Sequence, residues 1–295
     1  MSFIDDFRKS AADAGVVIAG TITPDSNIHR FSTGEKGDRD GYYLLYPDGP
    51  PHCGIFGCWR RGIDSKWKSD GTNGKVDPEV QKHWRDAAAK REKDKRELQE
   101  RTAIKAREEI EKEATATQEN SYLKRKNVGV FGPIRENFIG DLILPLQDAE
   151  GVIWSYQTID SEGDKLFMPC GRVQGCFYSL CLKDTGPVVI CEGYATGATI
   201  HTATGWSVVC AMNCGNMGDV AKSLRAKWPN RVFVIGADND RNTPDNPGLT
   251  KATAAAKAIK CSLAIPVFKN CAGSDFNDLA EQDGIEIVRR VFDSV

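Results

Sequence analysis

Residues 188–212 read VVICEGYATGATIHTATGWSVVCAM, and this stretch decides the fold. Its two apolar runs are short enough to be buried strands, and the Ala- and Thr-rich segment between them has the length of a helix. The same alternation continues through RVFVIGADND (231–240), GLTKATAAAKAI (248–259) and SLAIPVF (262–268). Apolar strands that alternate with helices are typical of βαβ units around a parallel sheet. The sequence therefore predicts an α/β domain with a Rossmann-like parallel sheet over residues 184–295.

Acidic residues of this domain follow the predicted strands. Glu192 ends the first strand, and Asp238 and Asp240 end the third. In open parallel sheets ligands collect beyond the carboxyl ends of the strands, so we expect these three side chains to meet there. Asp238 and Asp240 leave an extended strand two residues apart, so we expect them to point the same way and share a cation. Carboxylates suit Mg²⁺, with Mn²⁺ as the alternative ion.

Two further features accompany this acidic group. Asp275 and Asp278 follow the last predicted strand and form another pair of carboxylates. Gly193 and Gly197 predict a tight strand-to-helix turn whose backbone N–H groups approach phosphate. Because grouped acids repel one another, we expect at least one carboxyl to have a raised pKa or to be neutralised by metal.

The rest of the chain divides into three segments of different composition. Residues 1–76 begin with an amphipathic helical segment (3–20) and continue with aromatic runs and turn residues, which predict a small N-terminal α+β module. Residues 77–120 are rich in Lys, Arg, Glu and Ala and predict a long charged helix that connects domains. Residues 121–183 contain strand-like runs joined by an Asp-Ala-Glu-Gly turn, which predict a β-rich α+β subdomain.

Several segments resemble a known family. CEGYATGATI (191–200), IGADND (235–240) and SDFNDL (274–279) are similar to the Toprim domain of DnaG-type primases, and EGYATGA most resembles the primases of conjugative plasmids and satellite phages. FIGDLILPLQDAEGVIWSYQTI (138–159) and KLFMPCGRVQGCFYSL (165–180) resemble the β-rich subdomain that precedes Toprim in those enzymes. The aromatic N-terminal segments also look like the front of the plasmid enzymes, so the resemblance covers most of the chain except the charged connector.

The resemblance implies a role for each acidic residue. Glu192 would act as a metal ligand or as a general acid/base, and Asp238 and Asp240 would hold the catalytic Mg²⁺. Asp275 and Asp278 would belong to an outer metal site. Toprim domains also occur in topoisomerases, repair proteins and nucleases, so the similarity of the upstream β-rich segment is what favours a primase.

The leading hypothesis for the reaction is DNA-templated synthesis of short RNA primers from NTPs by Mg²⁺-dependent nucleotidyl transfer. Two alternatives stay open. A Toprim nuclease would use the same acids to activate water against a phosphodiester and would need no NTPs. A non-catalytic accessory protein of replication would bind single-stranded DNA, and its binding would persist in the presence of a chelator.

Basic and aromatic residues are the candidates for contacts with the substrates. Those expected to bind nucleotide or phosphate are Gly193, Lys124, Arg125, Lys165 and Arg172, with Lys126 and Arg135 as part of the same basic groove. Those expected to bind the single-stranded template, by stacking and by charge, are Phe56, Trp59, Arg60 and Arg61. The alternatives are a solvated charged face for the first set and an aromatic core for the second. Gln157 stands where the DnaG-type pattern has a basic residue, which argues against nucleotide contacts from its strand.

His52, Cys53 and Cys58 raise the question of a zinc site, because Cys-x4-Cys is within finger-like spacing. The next cysteine is Cys170, so a second pair at a suitable distance is missing and the sequence argues against zinc. The ten cysteines are scattered, many of them in apolar runs, which favours reduced thiols over a disulfide framework.

Composition limits the class of protein. The 295 residues are 40% hydrophobic and 27% charged, as in a soluble globular protein of two or three folded units. The net charge of -2 means that attraction to nucleic acid must come from local basic patches. No apolar run is long enough to span a bilayer and the N-terminus lacks a leader pattern, so we expect no membrane partner and a cytoplasmic protein. The resemblance to the primases of conjugative plasmids and satellite phages implies a bacterial protein encoded by a plasmid or phage. Because the sequence has no Walker A pattern, a replicative helicase would act in trans or as a C-terminal extension.

Overall fold

The computed structural model describes residues 2–34, 39–48, 51–69, 78–269 and 273–295. The chain forms two compact units, unit 1 (Met1–Lys95) and unit 2 (Arg96–Val295). Within the described ranges, no helix is both long enough and apolar enough to cross a membrane.

Unit 1 begins with helix α1, Phe3–Asp13. Ser2 and Asp5 form a capping box, in which each side chain accepts a hydrogen bond from the backbone amide of the other residue. The helix ends before residue 20, where the sequence pattern placed its end, because Gly15 adopts φ +83° and turns the chain.

One antiparallel sheet forms the rest of unit 1. Its strands, in their order across the sheet, are β1 (His29–Phe31), β2 (Gly41–Leu45), β3 (Cys53–Cys58) and β4 (Ile63–Lys68). Phe7 of α1 is fully buried, and its ring contacts those of Tyr43, Phe56 and Trp67 with centroid separations of 5.2 to 6.2 Å. These aromatic contacts give unit 1 a core of its own.

Helix α2 spans Pro78–Lys112, and the division between the units falls inside it. In its first part, Trp84 packs against Tyr46 of unit 1 with ring centroids 5.5 Å apart. In its second part, Ala106 and Ile110 are buried in unit 2. Each part of the charged helix therefore packs on its own unit, which a purely solvated spacer would not do.

The first sheet of unit 2 is antiparallel. Its strands, in order, are β5 (Ala114–Thr115), β6 (Arg135–Glu136), β7 (Leu142–Gln147), β8 (Ile153–Ile159) and β9 (Lys165–Phe167). A short helix, α3 (Ser121–Lys126), lies between β5 and β6 in the sequence. The Asp-Ala-Glu-Gly turn joins β7 to β8, where the Asp148 carboxylate accepts hydrogen bonds from the amides of Glu150 and Val152.

The second sheet of unit 2 is the predicted parallel sheet. Its strands are β10 (Tyr178–Cys181), β11 (Val188–Cys191), β12 (Ser207–Cys210), β13 (Phe233–Gly236) and β14 (Ser262–Ala264). The order is β10-β12-β11-β13-β14, and every pair is parallel except β10 with β12. The chain leaves β11 towards β12 on one side and later returns to β13 on the other, so the strand order reverses at β11.

Helices cover both faces of this sheet. They are α4 (Tyr194–Thr204), α5 (Met217–Lys227), α6 (Pro247–Ile259), α7 (Phe276–Asp283) and α8 (Ile285–Asp293). Buried residues of α4, α7 and α8 belong to one apolar core, and those of α5 and α6 belong to another. The three central strands, β11, β12 and β13, are buried along their whole length, which explains their continuous apolar sequences.

Candidate active site

The acidic residues lie where β11 and β13 end. Glu192 directly follows β11, and Asp238 follows β13 by two residues. The two strands are parallel neighbours in which Ile190 pairs with Ile235, so their carboxyl ends open at the same edge of the sheet. This edge is also the point where the strand order reverses, and ligands of open α/β sheets bind at such a point.

Burial and like charge both act on Glu192 and Asp238. Burial is the largest cause of the raised pKa of Glu192, and the nearby carboxylates of Asp240 and Asp275 raise it further. The pKa of Asp238 lies well above its usual value, first because of burial and then because of the Glu192 carboxylate. Lys165 acts in the opposite direction and lowers the pKa of both groups. The acids are therefore close enough to repel one another, as the sequence predicts.

A cavity of about 190 Å³ opens beside these acids, and we call it the acidic cavity. Glu192, Asp238 and Asp275 line it. Its other lining residues include the cations Arg125, Lys126 and Lys165, together with Tyr122, Glu162, Gly163, Gly193, Ala195 and Thr196. A cavity with carboxylates and cations together suits a phosphate ester that is bound through a metal ion and through basic side chains.

Asp240 does not line the acidic cavity, although its charge acts on Glu192 and Asp238. Its Oδ2 accepts a hydrogen bond of 2.9 Å from the backbone amide of Gly248, in the first turn of α6. The sequence predicts that Asp238 and Asp240 leave an extended strand and point the same way. In the structure β13 already ends at Gly236, and the side chain of Asp240 is held by α6.

Asp275 and Asp278 both serve the start of α7. Asp275 is the N-cap: its Oδ1 accepts from the amide of Asp278, and its Oδ2 accepts from the Thr196 hydroxyl at 2.8 Å. Asp278 accepts from the amide of Ser274 and lies 3.9 Å from the ammonium of Lys126. Asp275 reaches the acidic cavity and Asp278 does not, so the structure does not gather the two carboxylates around one outer position.

The basic residues predicted to bind nucleotide fall into two groups. Arg125 and Lys165 line the acidic cavity, and the Lys165 ammonium lies 3.3 Å from where a β-carbon on Gly193 would stand. Lys124 instead forms an exposed ion pair with Glu119.

Three further residues also lie away from the acidic cavity: Arg172, Arg135 and Gln157. The Arg172 guanidinium stacks on the Trp154 ring at 4.8 Å and lies 3.8 Å from Asp148. Arg135 donates to the Thr115 hydroxyl at 2.9 Å. Gln157 is buried. The guanidinium groups of Arg172 and Arg135 are therefore engaged in contacts within the protein.

The two glycines of the EGYATGA segment have different roles. Gly193 is the N-cap of α4, at the predicted strand-to-helix turn, and lines the acidic cavity. Gly197 lies inside α4, where its amide donates to the Gly193 carbonyl. A β-carbon on Gly197 would stand 2.7 Å from the Cys210 sulfur, so this glycine serves close packing of the helix on the sheet and not the turn.

The donor set fits a divalent ion with oxygen ligands. Asp238 Oδ1 is buried and accepts no hydrogen bond from the described residues, a costly state that a cation would relieve. Within the described ranges, no three Asp, Glu, His or Cys side chains are arranged to hold one metal ion together. Mg²⁺ keeps several waters and takes one or two protein carboxylates beside substrate phosphates, so a site with two carboxylates is within its range.

Two contacts of the site were not predicted from the sequence. The Cys214 amide donates to the Glu192 carboxylate, and Thr196 donates to Asp275. Lys126, which the sequence assigns to the basic groove, lines the acidic cavity and lies 3.9 Å from the Asp278 carboxylate. Cys214 and Thr196 come from loops and helices that only the tertiary fold brings to the acids, although Thr196 stands within the EGYATGA segment.

The residues predicted to bind template lie in unit 1, where the structure separates them. Phe56 is 3% exposed and belongs to the aromatic core around Phe7, so it is not available to stack on a base. Trp59 is 66% exposed and lines a cavity with Arg60. Arg61 is exposed and donates to the Gly15 carbonyl at 3.1 Å.

Cys53 and Cys58 stand at the two ends of β3, on the order of 16 Å apart along an extended strand. The Cys58 thiol donates to the Asp40 carboxylate at 3.4 Å, and the His52 ring stacks on Phe3 with centroids 3.7 Å apart. The strand thus keeps the two sulfurs too far apart to bind one zinc ion.

Comparison with known proteins gives a family for part of unit 2. Residues 187–286 match the Toprim domain family. The match covers β11 to β14. It includes Glu192 and Asp238, the two acidic residues of the cavity that follow strands of this sheet. It confirms the predicted Toprim domain.

Most of the chain is similar to DNA primases. Two proteins named DNA primase TraC, both from Escherichia coli, are 34% and 30% identical to it over 282 residues, which is 90% of this chain. The chain spans only 26% and 19% of the length of these two relatives. A solved structure of the DnaG primase catalytic domain bound to ssDNA aligns with 66% of this chain and 79% of its own, with a TM-score of 0.47 and 13% identity. The predicted resemblance to Toprim-domain DNA primases is confirmed.

Proposed function

We propose that this chain is a DNA primase that joins ribonucleotides into short RNA primers on a single-stranded DNA template. The observation that carries the proposal is the acidic cavity: Glu192 and Asp238 line it, they repel each other, and Asp238 Oδ1 accepts no hydrogen bond from the described residues. Similarity to the two DNA primases over 90% of the chain supports the same reaction.

Glu192 and Asp238 would hold a divalent ion, Mg²⁺ or Mn²⁺, with Asp240 adding negative charge behind them. When bound there, such an ion supplies charge neutralisation at the α-phosphate and at the departing pyrophosphate. Asp275 lines the same cavity, but both its oxygens already accept hydrogen bonds, so we assign it to positioning α7 and not to the first ligand sphere.

The basic residues of the cavity would orient the triphosphate. Arg125 and Lys165 line the acidic cavity from two different elements, α3 and β9, and guanidinium and ammonium groups bind phosphate oxygens well. Gly193 lets the backbone approach a phosphate at the start of α4. We propose no direct contact for Lys124, Arg172 or Asp278.

The carboxylate oxygen of Glu192 that does not bind the ion would accept the proton of the attacking 3′-hydroxyl. The oxygen of this 3′-hydroxyl attacks the α-phosphorus of the incoming NTP. The bond to the β-phosphate breaks, and pyrophosphate leaves with the bonding electrons. Burial raises the pKa of Glu192, which brings this carboxylate closer to the pH at which a general base is most effective.

Primer synthesis by the purified full chain tests the proposal. The chain would be incubated with single-stranded DNA, Mg²⁺ and labelled NTPs, with and without template. We expect short RNA only with template. Asp238→Asn and Glu192→Gln are each expected to lower its rate by about 10³-fold. The matched control is Asp283→Asn, whose carboxylate pairs with Lys269 at 2.8 Å outside the cavity and which we expect to be fully active.

Three results would contradict a primase. Cleavage of DNA without NTPs would identify a nuclease that uses the same acids. Binding of single-stranded DNA without any synthesis would identify an accessory protein. Full synthesis by Asp238→Asn would remove the catalytic role of the acidic cavity.

A further inference from the structure

Unit 1 contains a cavity of about 590 Å³ lined by Arg30, Arg39, Asp40, Trp59 and Arg60, which we call the Trp59 pocket. We propose that it binds single-stranded DNA, with one base stacked on the Trp59 ring and the neighbouring phosphates paired with the arginines. The inference rests on the proposed function, because the bound DNA would be the template for primer synthesis. Arg30 and Arg39 are not among the residues that the sequence predicts to bind template, because neither is close to Trp59 in the sequence.

Trp59 is presented to solvent in a fixed orientation. Its indole N–H donates to the Arg39 carbonyl at 3.4 Å, and its backbone amide donates to the Asp40 carbonyl at 3.2 Å. The Arg30 guanidinium lies 5.3 Å from the ring centroid, yet Trp59 keeps 66% of its surface exposed. A large aromatic ring that is held open loses little conformational entropy when a base stacks on it.

Asp40 supports this arrangement from below. It is 7% exposed, and its carboxylate accepts from the Thr33 amide at 3.0 Å, the Thr33 hydroxyl at 2.7 Å and the Cys58 thiol at 3.4 Å. The hydroxyl bond of Thr33 is the largest cause that lowers the pKa of Asp40 to about 2. The carboxylate is therefore a fixed anchor for the backbone to which the Trp59 amide donates.

The positions of the arginines favour a strand over a single nucleotide. Arg30 belongs to β1, Arg39 precedes β2, and Arg60 follows β3, so the three cations line the pocket from different segments. Separate cations around one stacking face can pair with successive phosphates of a polymer, whereas one nucleotide offers its phosphates in a single group.

A half-buried tryptophan of unit 2 shows a pairing of an aromatic ring with cations that is purely structural. Trp228 in unit 2 has Lys227 and Arg231 over its ring at 5.4 and 5.1 Å. The Arg231 guanidinium also donates to the backbone carbonyls of Lys183, Gly186 and Thr185. Because that cation already satisfies carbonyls of the protein, Trp228 is the matched control for Trp59.

Binding of labelled oligo(dT) to the full chain in a chelating buffer tests the inference without the metal site. Trp59→Ala is expected to weaken binding about 10-fold or more, and Trp59→Phe should retain part of the affinity. Arg30→Gln should reduce the slope of log affinity against log salt by about 0.7, the loss of one phosphate contact. Trp228→Ala should bind as the parent does. Asp238→Asn should also bind normally while it fails in primer synthesis, which separates the two proposals.

Two results would overturn the inference even if the chain makes primers. One is unchanged oligo(dT) binding by Trp59→Ala. The other is competition by dTTP at the same phosphate concentration as the oligomer, which would make the pocket a mononucleotide site. If the chain makes no primers but its binding still depends on Trp59 and Arg30, the proposed function fails and the Trp59 pocket stands.

Discussion

Asp238 combines burial with a carboxylate oxygen that accepts no hydrogen bond from the described residues. Burial and the neighbouring Glu192, Asp275 and Asp240 raise its pKa, so the folded protein favours the protonated form. For an acid whose pKa is raised on folding, the stabilising contribution is complete below the unfolded value of 3.8 and is lost as the pH rises through the raised value. At neutral pH the ionised group destabilises the metal-free fold, and a divalent cation would offset that cost.

Asp238→Asn is therefore expected to stabilise the metal-free protein at pH 8. The melting temperature should rise by about 2–4 °C for each kcal/mol relieved, and the difference from the parent should shrink as the pH falls towards 4. Added Mg²⁺ should stabilise the parent but not the variant, because binding to the folded state alone raises its stability. Thermal unfolding at several pH values, with Mg²⁺ or with chelator, measures both effects. A variant less stable than the parent at pH 8 in chelator would contradict the expected cost of ionised Asp238.

At the scale of residues, the sequence predicts which acids lie at the carboxyl ends of the strands and misses how each is held. Glu192 and Asp238 are predictable because they directly follow apolar runs, and the topology of parallel sheets brings such ends together. The Cys214 amide that donates to Glu192 carries no signal in the sequence, because it depends on how the chain turns after β12. From the sequence, Phe56 is predicted to stack on a base. The pairing of β3 with β2 and β4 places it instead in the core beneath α1, and this pairing is not evident from the sequence.

At the scale of elements, the start of α6 determines where Asp240 lies. The Gly248 amide donates to Asp240 Oδ2 at 2.9 Å, and a β-carbon on Gly248 would stand 2.6 Å from that oxygen and 2.9 Å from the Asp238 carbonyl. Only a residue without a side chain lets the first turn of α6 approach the loop that carries both acids.

Gly248→Ala is expected to push α6 and the acidic loop apart, to lower stability by about 1–3 kcal/mol and to reduce primer synthesis. Gly218→Ala is the matched control, because Gly218 is likewise the second residue of a helix, α5, and a β-carbon there meets nothing within 4 Å. The control should gain about 0.4–1 kcal/mol and keep its activity. Chemical denaturation and the primer assay measure the two outcomes, and equal behaviour of both variants would show that the close approach of α6 is unimportant.

The parallel sheet is predictable from the sequence because its strands are short, continuously apolar and separated by helical segments. The last predicted strand is shorter than its apolar run: β14 covers only Ser262–Ala264, and Pro266 cannot donate to a further ladder bond. Helix α1 likewise ends at Asp13, just before Gly15 turns the chain, and not near residue 20. Local pattern thus fixes the type of each element, while its end depends on backbone geometry at particular residues.

At the scale of the whole molecule, each unit has a separate apolar core. Phe7 is fully buried among aromatic residues of unit 1, and Phe292 is fully buried in unit 2, with its ring 5.0 Å from that of Phe276. No buried core cluster within the described residues contains members of both units. The free energy of unfolding should therefore be divided between two cooperative transitions.

Phe7→Ala is expected to remove about 3–5 kcal/mol from unit 1 alone. Because small domains are stable by only about 5–15 kcal/mol, this loss should lower the transition of unit 1 strongly and leave that of unit 2 in place. Phe292→Ala is the matched substitution in unit 2 and should shift the other transition. Calorimetry of the full chain resolves the two, and binding of oligo(dT) should be lost together with the transition that Phe7→Ala lowers. A single transition that both variants shift equally would mean that the units unfold as one, and the Trp59 pocket would then depend on unit 2.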